Sequence, residues 1–131
     1  MPNKQDPHIL IVDDSRMVRA SLNKHLHESF LLSEAGDGEE AWDVLTHTAD
    51  IDLLISDLTM PKLDGLGLLT RIRQSKDARI KQLPVIIISG EEDAATRSHA
   101  KQMGATDFVT KSAPKETIIQ TVKNALKTTM V

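Results

Sequence analysis

The chain has no cysteine, so neither a disulfide framework nor a thiolate metal site is open to it. A reducing, cytoplasmic setting is the matching expectation. No membrane or export segment is expected either: the apolar run in "MPNKQDPHILIVDD" meets two acids at once, too short for a signal-peptide core and far too short to span a bilayer. No cluster of Lys and Arg tracks a phosphate backbone, and 16 basic against 19 acidic side chains leave a formal net charge of −3. Direct nucleic-acid binding is therefore not expected. Neither a GxGxxG nor a Walker sequence occurs, which argues against dinucleotide and nucleotide binding. There is no internal repeat and no low-complexity tract.

What is present suffices for one core. The 131 residues, 40% of them hydrophobic, are expected to form a single domain over 1–131, with a core at about 7–128 between short tails. Short apolar runs alternate five times with longer segments of helical period, the pattern of a parallel sheet covered on both faces. "HILIV" reads as the first strand, with Ser15 capping a helix that carries Val18, Leu22 and Leu26 on one stripe. "FLLSEA", "DLLIS", "LPVIIIS" and "DFVT" follow as strands. Between them lie helices opening at "EEAWDVL", after Gly65, and at "EEDAATRSHAKQM", the least apolar, which Gly104 stops. A last helix after Pro114 presents Ile118, Val122 and Leu126. Right-handed strand–helix connections leave few topologies beyond an open, doubly wound α/β sheet, whose ligands bind beyond the carboxyl ends of the strands.

At those ends stand Asp13 and Asp14, Asp57, Ser89 and Lys111. Singly, each has an ordinary explanation as a cap, a wet loop residue or a solvated end. Together they suggest a site, because three neighbouring carboxylates repel one another unless a hard divalent cation and an amine offset them. Magnesium fits such a set, keeping several waters and leaving room for a phosphate oxygen. Metal, amine and hydroxyl would then embrace a transferring phosphoryl group, with the remaining carboxylate as nucleophile.

"ILIVDDS", "LLISDLTMPKLDG", "VIIISGE" and "GATDFVTK" resemble, in order and spacing, the four signature segments of bacterial two-component response-regulator receiver domains, over nearly the whole chain. The resemblance implies a flavodoxin-like (βα)5 fold with strand order 2-1-3-4-5. It also implies a signalling domain, not an enzyme in the usual sense, that assists its own phosphorylation and dephosphorylation. Asp57 would accept a phosphoryl group from a phosphohistidine on a sensor histidine kinase or phosphotransfer protein. Asp13, Asp14, Asp57 and the backbone carbonyl of Thr59 would hold Mg2+, for which Mn2+ could substitute. Ser89 and Phe108 would form the switch, Phe108 without a tyrosine's hydroxyl. Thr59 and Glu91 would line the path of the hydrolytic water and tune the lifetime of the acyl phosphate. The face of the fourth helix, fifth strand and fifth helix would serve a downstream effector or a homodimer, and Met17, Val18 and the first helix would face the phosphodonor. The chain reads either as a complete single-domain regulator or as a receiver excised from a longer protein.

One departure from the family pattern concerns Lys111, which is followed by Ser112 where proline is common. A cis bond before a non-proline residue costs roughly 2.5–4 kcal/mol, so a trans bond is expected, with Pro114 starting the last helix. The five histidines are scattered, and Trp42 reads as a partly buried helix residue. A flavodoxin would need a phosphate-cradling loop where Asp13 and Asp14 stand. A haloacid-dehalogenase-type phosphatase would need Asp-x-Asp where "VDDS" stands. The competing reading from another class is a degenerate receiver that acts as an interaction module without phosphorylation; a phosphorylation assay separates the two.

Overall fold

A computed structural model of the protein describes residues 6–90 and 94–130, with side chains through 127. Five parallel strands, β1 (His8–Val12), β2 (Leu31–Ala35), β3 (Leu53–Asp57), β4 (Val85–Ser89) and β5 (Asp107–Thr110), form one sheet in the order β2-β1-β3-β4-β5. The helices are α1 (Arg16–Leu26), α2 (Gly38–His47), α3 (Gly65–Arg73), α4 (Ala78–Lys81), α5 (Ala94–Gln102) and α6 (Lys115–Met130). The doubly wound α/β fold and its strand order are those expected from the sequence.

Strand alternation sorts the apolar residues into two cores. Ile9, Ile11, Leu53, Ile55, Ile86, Ile88 and Val109 pack on one face against Leu22 and Leu26 of α1 and Ile118 and Val122 of α6. Leu10, Val12, Leu54, Val85, Ile87 and Phe108 pack on the other against Leu45 of α2, Leu68, Leu69 and Ile72 of α3, and Ala100 of α5. Both cores therefore end at the same edge, where the strands finish.

The helix starts follow local chemistry. Ser15 Oγ accepts from Val18 N, Asp37 Oδ1 from Glu40 N, and Asp64 Oδ1 from Gly67 N, each side chain satisfying a first-turn donor. Gly104 ends the α5 segment with φ +107, in the left-handed region that favours glycine. Pro114 stands just ahead of α6 and its carbonyl accepts from Ile118 N at 3.1 Å, so it caps the helix as an acceptor.

One element escaped the sequence pattern. The short α4, capped by Asp77, lies between "RIR" and the fourth strand, so the weakly apolar fourth helix expected from the sequence is α5 and the fifth is α6. α4 buries only Ile80 and is held at its end by Arg73, whose Nη1 donates to the carbonyls of Lys81 and Leu83 at 2.9 and 2.7 Å. A single turn with one apolar residue carries no readable period. Among the described residues no helix is long and apolar enough to cross a membrane.

Candidate functional site at the carboxyl ends of the strands

Parity brings the charged residues together. Asp13 follows Ile11 by two, Asp57 follows Ile55 by two and Lys111 follows Val109 by two, so all three continue the core face shared with α1 and α6. Ser89 follows Ile87 by two and shares the opposite parity with Phe108. The central strands β1 and β3 end side by side, with Val12 paired to Ser56, and Asp57 is paired to Ile88 of β4.

Lys111 Nζ bridges the buried acids, 3.2 Å from Asp13 Oδ2 and 3.3 Å from Asp57 Oδ2. Asp13 is fully buried and Asp57 5% exposed, while Asp14 faces solvent. Burial and the Asp13 charge push the Asp57 carboxyl above its ordinary value, and Lys111 offsets only part of this. Burial also acts against the Lys111 ammonium, but its close approach to Asp13 and the charges of Asp13 and Asp57 outweigh that and raise it. The three carboxylates thus carry more negative charge than one amine neutralises.

Two loops set these positions. In the β1–α1 loop, Asp13 Oδ1 accepts from Ser15 N at 2.8 Å, which turns the carboxylate toward the helix start. In the β3–α3 loop, Gly65 N donates to Leu58 O at 2.9 Å, and a Cβ on Gly65 would collide with the Asp57 carbonyl. A Cβ on Gly38 would likewise strike the Leu63 carbonyl, to which Gly38 N donates at 3.1 Å, so α2 presses directly on this loop. Lys62 takes the left-handed conformation, φ 68, at its tip. Thr59 lies exposed in the same loop.

The remaining candidates fall as follows. Ser89 is buried at the end of β4, and its carbonyl accepts from Lys111 N at 2.8 Å, tying the β5 exit to the β4 end. The Lys111–Ser112 bond is trans, and Lys111 reaches the acids in that form. Phe108 is 4% exposed, and the Arg97 guanidinium of α5 lies over its ring, 5.4 Å from the centroid. A groove of about 420 Å³ opens beside it, lined by Arg97, Phe108 and Thr110 with residues of the start of α6. Met17 is 83% exposed at the start of α1, whereas Val18 is half-buried against the core. Trp42 is half-buried, with Arg71 5.5 Å over its ring. Glu91 lies outside the described residues.

The donors fit a hard divalent cation. Asp13, Asp14 and Asp57 each offer a carboxylate oxygen, all within 4.8 Å of one another. Among the described residues Asp13 Oδ2 is buried with no hydrogen-bond partner of good geometry, and the Lys111 ammonium stands 3.2 Å away. Oxygen-only donors, mixed burial and excess negative charge suit Mg2+ better than softer metals.

Sequence reasoning missed Arg19. It lies on α1, and its Nη1 donates to the Asp13 carbonyl at 2.6 Å and its Nε to Glu34 Oε1 at 3.0 Å. Nothing in the residue pattern signals a contact that depends on how α1 sits over β2.

Comparison with known proteins gives a consistent result. The family model described as the response regulator receiver domain matches residues 9–123. The chain is 39% identical over 116 residues to a protein of Cyanidium caldarium described as a probable transcriptional regulator, ycf27, covering 87% of this chain and 44% of that one. It is 31% identical over 124 residues to a chemotaxis protein CheY homolog of Campylobacter jejuni, covering 92% of each. The chain therefore spans less than half of the first relative and nearly all of the second. Among solved structures it resembles chemotaxis protein CheY4 of Vibrio cholerae, with TM-score 0.82 and 26% identity over 92% of this chain and 98% of that one. It likewise resembles a response regulator receiver protein from Pseudomonas putida, with TM-score 0.82 and 28% identity over 93% and 99%.

Proposed function

Because this chain belongs to the response regulator receiver family of two-component systems, we propose that it is a phosphoacceptor switch in which Asp57 takes a phosphoryl group from a phosphohistidine. The observation that carries this reading is the bridge from Lys111 to Asp13 and Asp57, which leaves Asp57 buried, incompletely compensated and at the open end of the sheet. An Asp57 carboxylate oxygen would attack phosphorus, the bond from phosphorus to the imidazole nitrogen of the donor would break, and the electron pair would leave with the imidazole. Lys111 and the Ser89 hydroxyl would bind oxygens of the transferring group, and removal from water would strengthen both contacts.

Asp13, Asp14, Asp57 and the Thr59 carbonyl would hold Mg2+, with Mn2+ as a substitute. When bound, the cation neutralises charge on the phosphoryl oxygens and on the acids around them. Thr59 and Glu91 would govern access of the water that hydrolyses the acyl phosphate. Engagement of Ser89 by the phosphoryl group would let Phe108 change its packing, and the face of α5, β5 and α6, with the groove beside Phe108, would carry the change to an effector or a second copy. A histidine kinase or phosphotransfer protein in the cytoplasm would be the donor, docking beside Met17. An interaction module that works without phosphorylation is not favoured, since Asp13, Asp14, Asp57, Ser89 and Lys111 are all present.

Borohydride reduction after incubation with a phosphodonor tests the acceptor, because it converts a phosphorylated aspartate to homoserine. Peptide mass mapping should find homoserine at position 57. Homoserine at position 13 or 14, or at none of the three with a competent donor, would contradict the proposal.

A further inference from the structure

We infer that Arg19 is a positioning residue for the acidic pair, fixing Asp13 and Asp14 through the peptide between them and anchored in turn by Glu34; this rests on the metal-site reading above. Both main-chain groups of Asp13 are tied to the end of β2 by different routes. Its N–H donates directly to Ala35 O at 3.2 Å. Its carbonyl accepts from Arg19 Nη1 at 2.6 Å, while Arg19 Nε donates to Glu34 Oε1 at 3.0 Å. Glu34 is steadied on its other oxygen by Asn23 Nδ2 at 3.5 Å.

The carbonyl of Asp13 belongs to the planar peptide that continues into Asp14. Holding that oxygen sets the orientation of the plane and hence the direction in which Asp14 leaves it. The point matters most for Asp14, which is exposed and gains no support from core packing. The Arg19 side chain is 18% exposed, and its bond to the Asp13 carbonyl is partly buried, so that bond acts with reduced competition from water. A guanidinium presents two donors at once in a rigid fork, which a lysine ammonium does not reproduce. Gly36 lies beside it, where an added Cβ would stand 3.7 Å from Arg19 Nη1.

Charge and positioning predict opposite signs. A guanidinium near a cation site repels the cation, so if charge dominated, removing Arg19 would tighten metal binding. If positioning dominates, removing it loosens binding. Arg19→Lys keeps the charge and loses the fork, so charge alone predicts no change there.

Titration calorimetry of Mg2+ into the metal-stripped chain decides between them, with wild type, Arg19→Lys and Arg19→Ala compared. Circular dichroism and urea unfolding of each apo form report folding separately. Positioning predicts that both variants bind Mg2+ about tenfold more weakly, the low end of the usual cost of removing a partner of a metal ligand. Glu34→Gln should weaken binding in wild type but not further in Arg19→Ala. Unchanged or tighter Mg2+ binding by Arg19→Ala and Arg19→Lys, with only the urea midpoint moved, would overturn the inference and leave Arg19 a fold-stabilising residue. Absence of Mg2+ binding by wild type would instead overturn the metal-site reading, and the role of Arg19 with it.

Discussion

Lys111 Nζ lies 3.3 Å from Asp57 Oδ2 although the peptide that follows Lys111 is trans and leads to serine. The register supplies the reason. Lys111 N donates to Ser89 O, so the residue leaves β5 while still bonded to the end of β4, and its side chain continues the Val109 parity toward β3. A cis bond is not needed to bring the amine to the acids.

Replacing Lys111 by Met should destabilise the apo protein by about 1–3 kcal/mol, because two buried carboxylates lose their bridging cation. Millimolar Mg2+ should recover most of the loss, which urea unfolding with and without the cation would read. The raised folded value of Lys111 places its contribution below the ordinary 10.5, to be lost as pH rises through the folded value.

Asp57→Asn should stabilise the metal-free protein near neutral pH. The folded-state carboxyl titrates above 3.8, so between that value and the folded one the native state binds the extra proton. Wild-type stability should therefore carry a component that falls as pH rises through this window, and the variant should lack it. Urea midpoints in EDTA across the acid range give the comparison; equal slopes for the two proteins would count against it.

Gly65→Ala should cost about 1–3 kcal/mol, the usual scale of overpacking, since the new methyl would meet the Asp57 carbonyl. The gain in helix propensity, roughly 1 kcal/mol, is smaller and does not rescue it. Gly90→Ala is the control, for among the described residues its added Cβ meets nothing within 4 Å. Urea unfolding and Mg2+ titration together would show the loop displaced in the first and not in the second.

Arg97→Ala should cost about 0.5–1 kcal/mol through the lost cover of the Phe108 ring. Ring-proton chemical shifts of Phe108 should move in the variant, and Arg97→Lys should restore part of the effect. Shifts identical to wild type would mean that the contact does not hold the ring.

Much of this was legible because most of the strands are short apolar runs that finish at or just before a polar residue. "HILIV" and "DFVT" coincide with β1 and β5 to the residue. β3 extends one residue beyond "DLLIS" to include Asp57, and β4 starts two residues inside "LPVIIIS", after the proline. The acids, Ser89 and Lys111 were readable because topology alone carries them to one edge. α4 was not, having one buried apolar residue, and neither was Arg19, whose role depends on the tilt of α1 against β2. The Arg97 contact with Phe108 was hidden for the same reason, since it joins two elements whose spacing no local pattern encodes.

The central claim is that Asp57 is a metal-assisted phosphoacceptor. Intact mass after incubation with acetyl phosphate, with and without Mg2+, on wild type and Asp57→Asn, tests it most directly. The account predicts one phosphoryl adduct on wild type, dependent on Mg2+ and absent from the variant. An adduct that survives in Asp57→Asn, or none on wild type even with a phosphorylated histidine donor, would contradict it.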